Sequence, residues 1–261
     1  MGRNIKMESE YRRDLVEVCR RMYQKGFVAS NDGNVSIRLS ENEILATPTG
    51  MSKGDISPDQ LIKVNMKGDV VEGFLKPSSE LKLHIHIYKS RPDVKSVVHA
   101  HPPISTGFAV AGIAIDQMAI PEVIANLGAV PLAPYAMPST DELAHSIDEF
   151  IGNCNAILLS NHGVVTVGPD VYSTYYTMER VEHSAYITWV AKSLGGEKRL
   201  SEENIEKLLG VRKRTEVSSS LSEPNKEEIS SGNADYYEDE GKLAELITRA
   251  IVEAIKGKDE G

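Results

Sequence analysis

Apolar and polar residues follow two rhythms along this chain, and the changes of rhythm mark its elements. From Ser9 to Lys25, Leu15, Val18, Cys19 and Met22 recur at helical spacing, the stripe of an amphipathic helix that Gly26 ends. Val35-Ser36-Ile37-Arg38-Leu39 then alternates as a strand does, fed by the polar loop Asn31-Asp32-Gly33-Asn34. Ile44-Leu45-Ala46 is a second strand, running into the turn Thr47-Pro48-Thr49-Gly50-Met51. Val97-Val98-His99-Ala100-His101 is β-branched at its start and stops at Pro102-Pro103, so it reads as a strand ending at a loop. Ala156-Ile157-Leu158-Leu159 and Val164-Val165-Thr166-Val167 read as strands on either side of Ser160-Asn161-His162-Gly163. Ala109-Val110-Ala111 and residues 120–135 look like buried sheet with connecting turns. A helix is predicted from Pro138 to Phe150, capped by Thr140, and a long one from about Val171 to Leu194, ended by Gly195-Gly196. His145 reads as a surface histidine on the first, His183 and Trp189 as packing residues on the second.

One stretch fits both rhythms. Leu81, Leu83, Ile85 and Ile87 alternate as in a strand, yet Pro77-Ser78-Ser79-Glu80 ahead of them is a good helix start. A strand would make His84 and His86 a metal pair. A helix would turn them about 200° apart and put Ser78 and Ser79 at a positive helix end, suited to an anion. Periodicity alone does not choose.

Composition narrows the class. The chain has 261 residues, room for a sizeable core, and a net charge of −9. The segment from Thr215 to Glu240 holds Glu216, Glu223, Glu227, Glu228, Asp235, Glu238, Asp239 and Glu240 against the single base Lys226. Without it, 30 acids face 28 bases of the chain's 38 and 29, a charge of −2 and no basic stripe for nucleic acid. Rich in Ser, Asn and Gly, this segment reads as a disordered linker, so the folded body is expected over residues 1–214. Cys19 and Cys154 form no CxxC, the N-terminus is charged, and no apolar run approaches the ~20 residues needed to span a bilayer. A cytoplasmic protein without membrane or nucleic-acid partners is expected.

Residues i and i+2 of a strand point the same way, so His99 and His101 can share one ion, and the second strand end delivers His162. Three imidazoles leave a fourth position open, the pattern of a catalytic rather than a structural zinc site. Two buried strands with loop histidines bonded to backbone carbonyls is the competing reading. The Asn31–Asn34 and Thr47–Met51 loops can present backbone N–H groups to an anion such as phosphate, though most such loops are turns.

Together, Gly33-Asn34-Val35-Ser36, Thr47-Pro48-Thr49-Gly50, Pro77-Ser78-Ser79-Glu80, His99-Ala100-His101-Pro102 and His162-Gly163 resemble the class II aldolase/adducin family, in order and spacing over roughly residues 9 to 214. The resemblance implies an α/β, three-layer fold with a central, mainly antiparallel sheet flanked by helices, and a homotetramer with sites between subunits. It implies a helix after Glu80. It implies Zn²⁺ on His99, His101 and His162, with Glu80 as acid/base and as a ligand when substrate is absent. It implies a phosphorylated sugar held by Gly33, Asn34, Thr49, Gly50, Ser78 and Ser79. The implied reaction cleaves a ketose 1-phosphate of the L-fuculose type to dihydroxyacetone phosphate and a short aldehyde such as L-lactaldehyde. Sugar-phosphate 4-epimerases, methylthioribulose-phosphate dehydratases and non-catalytic adducin-like modules share the resemblance; the epimerases carry Asp where Glu80 stands, and the modules lose the histidines. The chain departs from the aldolases in one place: where they use a tyrosine to protonate the aldehyde oxygen, Glu122 stands, as a substitute or as a turn residue. A second aldolase tyrosine, near the C-terminus, has no clear match.

Beyond the acidic segment, residues 241–257 carry Leu243, Leu246, Ile247, Ala250, Ile251, Ala254 and Ile255 on one helical stripe. A helix this short needs a partner for its apolar face. Packing on its own body is one reading. Docking is the other, since the stripe looks like the encapsulation peptides of enzymes housed in bacterial microcompartments, with a shell protein as partner.

Overall fold

The computed structural model describes residues 7–116 and 119–210. They fall into two compact units. Among the described residues, the larger holds 7–116 and 127–197, and the smaller 119–126 and 198–210. The linker and the C-terminal stripe lie outside the described residues.

The larger unit is built on one sheet. Its strands are β1 (Asn34–Arg38), β2 (Glu43–Ala46), β3 (Ile62–Asn65), β4 (Val70–Glu72), β5 (Ser96–Ala100), β6 (Leu132–Ala133), β7 (Ala156–Leu159) and β8 (Gly163–Gly168). They lie in the order β4-β3-β2-β1-β5-β8-β7-β6, and only the β6–β7 pair is parallel. β5 is central and all five of its residues are buried, as is all of β8. Such strands are covered on both faces, which is why Val-rich runs rather than clean alternation marked them.

Helices α1 (Glu8–Gln24), α3 (Pro103–Val110) and α7 (Val171–Ser193) lie on one face. On the other, α2 (Leu81–Ser90) packs with α5 (Asp141–His145) and α6 (Asp148–Ile151). There, Leu83, Ile87, Leu143, Ile147 and Ile151 meet Ile44, Ile62, Val97, Ile157 and Val165 of the sheet. Each such side chain contributes about 1.5–3 kcal/mol by leaving water. The expected α/β, three-layer, mainly antiparallel architecture is what the chain adopts.

Residues 81–90 are helical. Their apparent alternation arises because Leu81, Leu83, His84, Ile85, Ile87 and Tyr88 are all buried, leaving little of the helix to be polar. The predicted sheet at 109–111 and 120–135 is corrected. Ala109 and Val110 close α3, Pro121–Asn126 is a short helix, α4, in the smaller unit, and only Leu132–Ala133 is strand. Pro103 and Pro121 each open their helix, where a missing N–H costs nothing, and short apolar runs carry no helix-or-strand signature. The helix predicted from Pro138 to Phe150 is two: the Ser146 hydroxyl turns back on Leu143 O (2.9 Å) and α5 ends there. Thr140 caps α5 as expected, accepting from Leu143 N at 3.4 Å. His183 and Trp189, expected as packing residues, are both exposed, Trp189 with its ring 5.8 Å from that of Tyr186 on the same helix. Val181, Ser184, Ala185 and Thr188 form the buried stripe of α7 and turn both outward. In the smaller unit, Ile124 of α4 packs with Ile205 and Leu208 of the helical stretch 202–210.

Candidate metal centre

The centre is assembled on β5 by the two-residue repeat of a strand. Val97 joins the core under α2, so His99, two residues on, faces the same layer. His101 follows just beyond the strand, its N–H bonded to Phe27 O at 2.9 Å. After Pro102, α3 begins, and Glu182 of α7 accepts from Ile104 N, Ser105 N and Ser105 Oγ at 2.9, 2.8 and 2.7 Å, pinning the chain that follows His101. His162 sits in the tight connection between β7 and β8, where Asn161 takes a φ of +55° that asparagine tolerates better than most residues. Gly163 comes next because nothing larger fits: a Cβ there would stand 2.5 Å from Ala100 O and 2.6 Å from His101 Cδ2.

The three imidazoles converge. Ring centroids are 5.0 Å apart for His99–His101, 4.7 Å for His99–His162 and 5.2 Å for His101–His162. His99 and His101 bring their Nε2 atoms to 3.2 Å. Glu80, at the start of α2, completes the ring, with its Oε2 3.3 Å from His99 Nε2 and its Oε1 3.0 Å from His162 Nε2. These three separations, 3.0 to 3.3 Å, suit donors that share one ion at metal–ligand distances of about 2.0–2.1 Å. His99 Nδ1 donates to Val164 O at 2.9 Å, which leaves Nε2 with a free lone pair. The Nδ1 of His162 is buried and has no partner among the described residues.

The charge balance also asks for a cation. Burial pushes the His99 imidazole down to about 3, against the attraction of Glu80. Burial lowers His101 as well, the neighbouring His162 adding to it. Burial alone would raise the Glu80 carboxyl; His99, His162 and the Asn34 amide outweigh it and hold it below the usual carboxylate range. A neutral His99, however, lends Glu80 no positive charge. A carboxylate beside the neutral His99, with His101 and His162 converging on it, is a donor set that a divalent ion satisfies, and these four residues fit one.

Of the other residues singled out from the sequence, Gly33 and Asn34 border this centre. Gly33, with a φ of +71°, lies beneath it; a Cβ there would be 2.9 Å from His99 O. Asn34 sends its amide to Glu80 Oε2 at 2.8 Å and approaches Ser78 Oγ at 3.5 Å. Thr49 N bonds Lys76 O at 2.9 Å and Pro48 bridges Pro77, so the Thr49-Gly50 turn lies against the Ser78-Ser79 segment. Lys53, 1% exposed, donates to Asn31 O and Met51 O at 3.1 and 2.9 Å and ties the first two loops together. Ser139 donates to Ser79 Oγ at 2.7 Å. Lys53, Ser139 and Glu182 have no local sequence signal; only the fold brings them in. Glu122 is exposed in the first turn of α4, in the smaller unit.

His84 and His86 do not pair. His84 faces β1, and His86 reaches Asp148 Oδ1 at 2.5 Å, whose other oxygen accepts from His145 at 3.1 Å. That outer cluster satisfies itself.

The chain belongs to the class II aldolase family: residues 13–189 match the model described as the Class II Aldolase and Adducin N-terminal domain. Its relatives divide by reaction. It is 32% identical to the 3-oxo-tetronate 4-phosphate decarboxylase of Escherichia coli O6:H1 over 189 residues, 71% of this chain and 89% of that one. It is 32% identical to the 5-deoxy-D-ribulose 1-phosphate aldolase of Bacillus thuringiensis over 199 residues, 76% of this chain and 92% of the other. Among solved structures, an L-fuculose 1-phosphate aldolase superposes with a TM-score of 0.73 at 25% identity, covering 81% of this chain and all of that one. Among the described residues, no helix is long and apolar enough to cross a membrane.

Proposed function

We propose that this protein is a zinc-dependent aldolase that cleaves a ketose 1-phosphate of the L-fuculose type to dihydroxyacetone phosphate and a short aldehyde such as L-lactaldehyde. One observation carries the reading: a single carboxylate, Glu80, meets two of three converging imidazoles at 3.0 and 3.3 Å. His99, His101 and His162 would hold the ion, with Glu80 as a fourth ligand until substrate takes its place. A bound divalent ion supplies Lewis acidity, withdrawing electrons from a carbonyl and stabilising the negative charge that carbon–carbon cleavage leaves. Glu80, then free, carries the proton to and from the nucleophilic carbon. Gly33, Asn34, Thr49, Gly50, Ser78 and Ser79 hold the phosphate through N–H groups and hydroxyls, which fixes the reacting carbon beside Glu80.

A second reading is decarboxylation of a 3-oxo sugar-acid phosphate, and Glu122 favours it. In aldol cleavage a hydroxyl must lose its proton as the aldehyde leaves, work that the aldolases give to a tyrosine about where Glu122 stands in this chain. When CO₂ leaves instead, no hydroxyl proton moves, and a proton carrier for the new carbon suffices. The deciding experiment offers the zinc-loaded protein L-fuculose 1-phosphate, 5-deoxy-D-ribulose 1-phosphate and 3-oxo-tetronate 4-phosphate, and measures dihydroxyacetone phosphate and CO₂. Triose phosphate from either ketose supports the aldolase; CO₂ from the oxo acid alone replaces it with the decarboxylase.

Residues 1–214 form the catalytic body in this reading. Exposed Tyr186, Ile187, Trp189 and Val190 on α7 support assembly of identical subunits into a tetramer. The apolar stripe of residues 241–257 serves as a docking helix for a microcompartment shell protein.

A further inference from the structure

Helix α2 and strand β1 run alongside each other with matched repeats. Four residues of helix rise about 6.0 Å and two residues of strand about 6.6 Å. Glu80, His84 and Tyr88 on one side therefore stay in step with Asn34, Ser36 and Arg38 on the other. Asn34 Nδ2 bonds Glu80 Oε2 at 2.8 Å, and Asn34 Oδ1 meets His84 Nε2 at 2.5 Å. His84 Nδ1 meets Ser36 Oγ at 2.7 Å, and Ser36 Oγ meets Tyr88 Oη at 2.8 Å. Arg38 lies over the Tyr88 ring at 4.7 Å and donates to its backbone carbonyl. Asn34, Ser36, His84 and Tyr88 are all 5% exposed or less.

The direction of this chain of bonds is forced from one end. A carboxylate only accepts, so Asn34 must present its NH₂ to Glu80 and its carbonyl to His84. His84 must then carry its proton on Nε2 and accept at Nδ1, from the Ser36 hydroxyl. Ser36, its one proton spent, must accept from Tyr88. Each group has one arrangement that leaves nothing buried and unpaired, and an orphan would cost about 1–3 kcal/mol.

We propose that Asn34 and His84 are positioning residues for Glu80: the Tyr88–Ser36–His84–Asn34 relay fixes which way the Asn34 amide faces, and so locks the rotamer of the carboxylate. This rests on Glu80 being the acid/base of the reaction. His84 bonds no metal ligand, and of the phosphate-holding residues it bonds only Asn34, at the side-chain Oδ1 and not at a backbone N–H. Its influence falls on turnover and not on substrate binding. The relay also accounts for a buried histidine, serine and tyrosine beside a layer otherwise apolar.

The test uses the full-length zinc-loaded protein with L-fuculose 1-phosphate and three substitutions. His84→Leu removes the donor to Asn34 and is expected to lower kcat between about 10- and 100-fold with KM within about twofold. His84→Gln, whose amide N–H reaches the position of Nε2, is expected to restore most of that loss. Ser36→Ala, a milder change, is expected to lower kcat in the same direction if His84→Leu does not fold. Imidazole ¹⁵N shifts of the wild type give a readout independent of turnover: His84 is expected as the neutral Nε2–H tautomer. The Nδ1–H tautomer, or equal kcat in His84→Leu and wild type, overturns the proposal. Glu80→Gln separates the two levels. If it keeps full turnover, the role of Glu80 itself falls and the relay with it; if it is inactive while His84→Leu is not, only the relay falls.

Discussion

His99 Nδ1 donates to the backbone carbonyl of Val164 at 2.9 Å, across the central β5–β8 pair of the sheet. A carbonyl cannot be moved by mutation of its own side chain, so the lone pair on His99 Nε2 is aimed by the sheet itself. Loss of a partner that merely orients a ligand costs 10–100-fold in metal affinity, so loss of the ligand should cost more. His99→Ala is expected to weaken zinc binding by more than about 100-fold, measured by competition with a chromogenic chelator. Chelation should abolish cleavage by the wild type, and added Zn²⁺ should restore it. Retention of stoichiometric zinc by His99→Ala would show that the ion sits elsewhere.

Gly163 separates close approach from mere flexibility. Its added Cβ would meet Ala100 O at 2.5 Å and the His101 ring at 2.6 Å, whereas one on Gly107, in α3, meets nothing within 4 Å. Gly163→Ala should lose about 1–3 kcal/mol in urea unfolding and weaken zinc binding, because the His101 ring must move. Gly107→Ala should gain up to about 1 kcal/mol from helix propensity. Equal stabilities for the two variants would contradict this.

Acid should destabilise the fold through its buried imidazoles. His84 is 1% exposed, and burial pushes it down to about 4, with Glu80 opposing. The unfolded chain returns it to about 6.5. Between these values the unfolded state binds a proton that the folded state refuses, so stability is full above about pH 6.5 and falls as pH drops towards about 4. The loss assignable to His84 is on the order of 3 kcal/mol. Urea midpoints of metal-free protein across this range should fall steeply for wild type and less steeply for His84→Gln; parallel slopes would remove His84 as the source.

Ending the chain after Arg214 should leave cleavage unchanged and abolish co-localisation with shell proteins, followed by fluorescence in cells that make the shell. Lost cleavage would assign the tail to the catalytic body, and unchanged localisation would end the docking reading.

The sequence carried the fold where one period dominates. The α1 stripe, the Val-rich β5 and β8 and the long α7 all stand within a residue or two of where they were predicted. It failed where both faces of an element are buried or the element is short: α2 imitated a strand because six of its ten residues are buried, and α3 and α4 passed for sheet. The three histidines were legible because strand periodicity and adjacent turns place them locally. His84, Lys53, Ser139 and Glu182 were not, since each acts on a segment distant in sequence. The sequence offered His84 only as half of a strand-borne pair with His86, and its contacts place it one amide away from Glu80.

The position of His99 in the middle of the sheet also governs how the protein can fail. Active sites borne on loops inactivate by local fraying well before the rest of the molecule melts. Here a proposed ligand, His99, belongs to β5, whose amides are held by β1 on one side and β8 on the other and are expected to open only with the whole sheet. Thermal inactivation should therefore track global melting, and the β5 amides should be among the slowest in the molecule to exchange with deuterated solvent.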